Sequence, residues 1–165
     1  MLICVQFIRM SKRAVLLDAL ASMPKDLVFM LRRMDETAVH YHPTLDHWSI
    51  ADVLRHLAII EPLHLARLQK IVAEERPYLP YLHPKTESSL TLIPLAELLT
   101  AVRDARHHTL SYLHTLKPGD WQRTAVHETV GNTSLRFMVQ RLVEHDTEHL
   151  NQMAQIQQQR RANAS

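Results

Sequence analysis

Apolar residues recur along this chain at intervals of three and four, the spacing that aligns side chains on one face of a helix. The first stripe (Leu16, Leu20, Leu27, Leu31, Met34) predicts a helix from about Ser11 to Asp35, kinked or briefly broken at Pro24. A second stripe (Ile50, Val53, Leu57, Ile60, Leu68, Ile71) begins just after Ser49. There Ser49 and Asp52 have the spacing of a capping box. A third (Leu95, Leu98, Leu99, Val102, Leu110, Leu113, Leu116) runs from Pro94, a residue suited to the first helical position. The fourth (Leu135, Val139, Leu142, Leu150, Met153) spans about Thr133 to Arg160.

What separates the stripes is equally informative. Glu36 to Trp48 reads as a loop whose histidines (His40, His42 and His47) are solvated, with Trp48 plugging the end of a bundle. Arg76 to Ile93 carries three prolines and precedes a fourth, Pro94. So long a helix-free connection fits two neighbouring helices that run parallel, so that the chain must travel back along the bundle. Lys117-Pro118-Gly119-Asp120 ends the third helix, and Trp121 to Asn132 reads as irregular or a short extended excursion. The expected fold is all-α: a four-helix bundle, up-down-down-up, with a long crossover between helices two and three.

Composition narrows the function classes. With 165 residues the chain is long enough for one domain with a real core. We place that domain at residues 11–161, between an N-terminal tail (1–10) and a C-terminal tail (162–165). The opening MLICVQFIRM has its charge after its apolar part, the wrong order for a signal peptide, and Met10 is an alternative start. Only 2 glycines argue against a fold of tight hairpins, and a net charge of +2 argues against a nucleic-acid surface. No apolar run reaches membrane-span length. The one cysteine, Cys4, excludes an internal disulfide, and a cytoplasmic location fits.

The candidate chemistry lies in charged and histidine residues that share the apolar stripes. His145 and His149, one turn apart in LVEHDTEHLNQM, point the same way and can grip one metal ion. The motif is HDxxH, so the glutamate base of the HExxH zinc proteases is missing. With 12 histidines in the chain, spacing alone decides little. Position adds that His56 faces the core from helix two, giving three neutral imidazoles and an open ligand position between helices two and four. Arg106 and Asp146 are opposite charges facing the core from different helices; paired, they would fix the rotation of helix four. His64, two turns beyond His56, is either a hydrogen-bonded core residue or part of the site's lining. Glu61 is either a general base near the open position or a carboxylate on the helix shoulder.

These segments resemble a known family. Pro43 to Glu61, PTLDHWSIADVLRHLAIIE, is similar to the W-S-x-x-[ED]-[VI]-L-x-H-L-x-x-x-E segment of the DinB/YfiT-like superfamily. His145 to Met153, HDTEHLNQM, resembles its H-D-x-x-H-L-x-Q-[IM] segment. Val102, Arg106, Leu110 and Leu113 follow the spacing between them, and Trp121 to Leu135 resembles the W-x-R-x-x-x-H-x-x-x-G passage. The resemblance implies the same up-down-down-up bundle and a divalent metal, zinc or nickel, on His56, His145 and His149. It further implies a thiol-dependent S-transferase using a low-molecular-weight thiol such as bacillithiol or mycothiol. A metal-dependent hydrolase, or a non-enzymatic metal-binding bundle, are the alternatives. A homodimer is plausible for the family.

Overall fold

The structure, a computed structural model, describes residues 11–44, 46–82 and 92–163. The expectations for the first ten residues, for 83–91 of the crossover and for the last two residues lie outside these. Four long helices dominate: α1 (Lys12–Leu31), α3 (Ile50–Ala73), α4 (Leu95–Thr115) and α5 (Leu135–Asn163), with a short α2 (Glu36–Val39) between the first two.

Helix boundaries follow from capping. Ser11 Oγ accepts from the Ala14 N–H and starts α1. The helix stops at Leu31, short of the expected Asp35, because Asp35 caps α2 instead, accepting from the Ala38 N–H at 2.8 Å. α2 thus replaces part of the expected loop. Ser49 and Asp52 do form a reciprocal capping box at the start of α3. Pro94 stands just before α4 rather than inside it, and the Leu95 N–H donates to Glu36 Oε1 at 3.0 Å.

Pro24 does not break α1. Proline cannot donate to the carbonyl four residues back, which leaves the Leu20 carbonyl without its helical partner. Arg106 Nη1 on α4 donates to it at 3.3 Å.

The stretch expected to be irregular or a short extended excursion holds a single 3-10 turn (Asp120–Gln122) and two strands, β2 (Thr124–His127) and β3 (Gly131–Ser134). They pair antiparallel, His127 opposite Gly131 and Thr124 opposite Ser134. The two-residue strand β1 (Tyr78–Leu79) adds parallel to β2. Thr133 and Ser134 therefore belong to β3, and α5 starts at Leu135 with Ser134 Oγ accepting from the Phe137 N–H. Gly131 turns the hairpin at φ +69°, a conformation glycine adopts without strain.

Two apolar clusters make the core. One joins the C-terminal parts of α1 and α5 (Leu27, Leu31, Met153, Ile156) to the N-terminal parts of α3 and α4 (Ile50, Leu54, Leu98, Val102). The other joins Leu20 of α1 and Leu135, Val139 and Leu142 of α5 to Leu68 and Ile71 of α3 and Leu113 of α4. α1 and α5 therefore run one way and α3 and α4 the other, the up-down-down-up order. The parallel neighbours α3 and α4 are what require the long crossover. Between the two apolar clusters lies a belt of buried polar side chains, and the site is built there.

Candidate metal centre

Within the belt, α3 and α5 run antiparallel and put their histidines face to face. His145 Nε2 lies 3.2 Å from His56 Nε2 and 3.1 Å from His149 Nε2. One nitrogen from each of the three rings falls within 4.8 Å of the others, a group that can hold a metal ion. A four-coordinate ion with metal–nitrogen bonds of about 2.0–2.1 Å separates its ligand atoms by roughly 3.3 Å, close to the two short spacings.

The protonation pattern suits a cation. His149 Nδ1 donates to Gln152 Oε1 at 2.8 Å, which leaves the lone pair on Nε2, turned to the cluster. Burial, with His149 adding repulsion, lowers the pKa of His56 to about 4. Burial lowers His145 further, to about 3, again with help from His149. These two imidazoles are neutral near pH 7 and offer lone pairs rather than charge.

The cluster opens on a cavity of about 420 Å³. Trp48 forms one wall, its ring centroid 5.1 Å from that of His56 and its plane stacked over His149 at 6.3 Å. His64 lies beside His145, with centroids 5.7 Å apart, and burial, then the Arg67 and Arg106 guanidiniums, lower its pKa to about 4. Arg67, His127, Phe137 and Arg141 continue the lining.

Behind the histidines is a second buried group. Arg106, 1% exposed, spans three helices. Its Nη1 and Nη2 donate to Asp146 Oδ2 and Oδ1 at 2.7 and 2.8 Å, and its Nε and Nη2 reach Glu61 Oε1 and Oε2 at 2.9 and 3.0 Å. Burial pushes both carboxyl pKa values up, and Arg106 pulls against it.

The structure thus brings His56, His145 and His149 together, sets His64 in the lining and pairs Asp146 with Arg106. Glu61 faces Arg106, with Oε1 2.9 Å from Nε and Oε2 accepting from Nη2 at 3.0 Å, and is not among the residues that line the cavity. Of the loop histidines, His42 is bonded to Asp52 at 2.8 Å and His40 lies 3.1 Å from the Ile93 carbonyl; neither approaches the cluster. Trp48 is cavity wall as well as plug. Arg67 was not singled out from the sequence, and His127 entered only as the histidine of the W-x-R-x-x-x-H passage. Arg67, in phase with His56 and His64 on α3, carries the same signal that marked Arg106: a charge on a buried helix face.

Residues 19–153 match the profile of the DinB superfamily. No curated protein matches the chain significantly. Among solved structures, YfiT from Bacillus subtilis aligns with a TM-score of 0.77 and 20% identity, over 92% of this chain and 90% of its own. It is described as a probable metal-dependent hydrolase with an unusual four-helix bundle topology. At that identity the likeness is one of fold.

Proposed function

The chain belongs to the DinB superfamily, and on that premise we propose that it is a metal-dependent S-transferase. His56, His145 and His149 would hold a divalent ion, zinc or nickel, and the cavity would admit a low-molecular-weight thiol and a small electrophile. The observation that carries this is the convergence of three imidazole nitrogens at the wall of an open cavity. Bound there, the ion supplies Lewis acidity that lowers the pKa of an entering thiol or water.

The chain's own groups support that chemistry. No cysteine or serine among the described residues lines the cavity, where the hydroxyl groups are those of Tyr81 and Thr129, and this favours a nucleophile supplied from outside. His64, neutral and next to His145, can take a proton on a ring nitrogen from a group entering beside the cluster. The Trp48 ring excludes water from one side of His56 and His149.

The test is turnover of a generic electrophile by metal-loaded protein with glutathione, bacillithiol or mycothiol. Thiol-dependent turnover that His56→Ala abolishes is expected; turnover unchanged in His56→Ala sinks the mechanism. Hydrolysis is the second reading, favoured by the description of YfiT. Metal-dependent turnover without any thiol would select it.

A further inference from the structure

Arg67 differs from the other buried ions of the fold. Asp52 is bonded to Arg55 and His42, and Arg106 to Glu61 and Asp146. Arg67 is only 9% exposed, yet no carboxylate among the described residues pairs with it, and its Nη2 is buried without an acceptor. Burial lowers its pKa, but a guanidinium stays charged at any ordinary pH. Leaving a cation desolvated and unpaired is costly, so its retention calls for an anion that the described residues do not themselves provide.

The surroundings say where that anion would sit. Arg67 follows His64 by one turn on the face of α3 that also carries His56 and Ile60, and all four line one cavity. His127, 8% exposed on β2, lines it too. Its Nδ1 accepts from the Thr129 N–H at 3.2 Å, so the neutral ring carries its proton on Nε2 and is a donor there. The cavity thus offers lone pairs at the histidine cluster and, beyond His64, donors and positive charge. Its one acidic lining residue among those described, Glu148, is exposed and sits beside His149 in sequence.

We propose that Arg67, with His127, is the anchor for an oxyanion group of the substrate, a carboxylate or a phosphate. The substrate class is then small acids, held by the acid end at Arg67 while the reactive end reaches His56, His145 and His149. A planar guanidinium fork matches either anion bidentately. The assignment rests on the cavity being the substrate pocket, but its test needs neither turnover nor metal.

Thermal unfolding of the protein is followed during titration with inorganic phosphate and, separately, with propionate. The wild type is expected to gain about 4 °C in Tm at ten times the anion's Kd. Arg67→Met should show no gain, and its anion-free Tm should equal or exceed that of the wild type, because the unpaired cation is gone. His149→Ala, which breaks the histidine cluster, should keep the gain. The anion giving the larger gain identifies the group recognised. No response in the wild type overturns the proposal. So does a gain kept in Arg67→Met and lost in His149→Ala, which would move the anion to the histidines.

Discussion

Two buried polar clusters share the middle of this bundle, and they are built on opposite principles. Around Arg106 the charges are closed on themselves: one guanidinium meets two carboxylates and a freed backbone carbonyl, all within 3.3 Å. Around His145, the residue next to Asp146, the groups are left open. Imidazole nitrogens face one another with little to share between them, and Arg67 has no counter-charge among the described residues. A charge-paired cluster locks geometry, whereas one without a counter-charge at a cavity wall is poised for something from outside. Asp146 joins the two, since it lies between His145 and His149 in sequence and is held by Arg106.

If that contrast is right, mutations should separate the clusters. The largest effect belongs to Arg106→Met, which strands two buried carboxylates and should lower unfolding stability by about 3–5 kcal/mol in urea denaturation. A loss below about 1 kcal/mol would mean the closed cluster is not the lock. His149→Ala should remove bound metal, as measured by mass spectrometry on untagged protein, while costing the chelator-treated protein far less stability than Arg106→Met does. Asp146→Asn should show both phenotypes in milder form. Metal affinity should fall about 10–100-fold as His145 and His149 lose their fixed orientation, and stability should fall by about 1–3 kcal/mol.

A further effect is a pH dependence arising in the open cluster. His56 and His145 have folded pKa values of about 4 and 3, below their ordinary 6.5. Once the pH drops below 6.5 the unfolded chain binds protons that the folded chain refuses. The stability these groups contribute is therefore full above pH 6.5 and is lost as the pH falls toward 4 and below. Chelator-treated wild type should lose stability across that window, and His56→Gln should flatten the slope. A slope unchanged in His56→Gln would show that the loss arises elsewhere.

Much of this was legible in the sequence because the helices are long. Stripes such as Leu95 to Leu116 repeat often enough to fix phase, and phase turned His56, His145, His149, Arg106 and Asp146 inward. The prolines between Arg76 and Ile93 reported the parallel pair through chain length alone. Short elements left no such trace. The two-residue β1 is defined by a partner far along the chain, Tyr78 by Val126, and four-residue α2 has too few turns to show a period. The role of Glu61 was ambiguous for a different reason. Helix phase says that a side chain points inward but not which inward group it meets, and Arg106 on α4 reached it first. Trp48 precedes α3, where no helical phase applies, so its stacking over His149 required the fold.

The carbonyl that Pro24 leaves free has a consequence for how the bundle assembles. Arg106, carried by α4, bonds at once to Leu20 of α1, Glu61 of α3 and Asp146 of α5. Any partly docked intermediate lacking one of those helices leaves a core ion or a carbonyl unanswered, so such intermediates are raised in energy relative to both ends of the reaction. One side chain that touches all four long helices makes their docking a single cooperative event, and α5, the fourth long helix in chain order, brings the histidine pair into place in the same step.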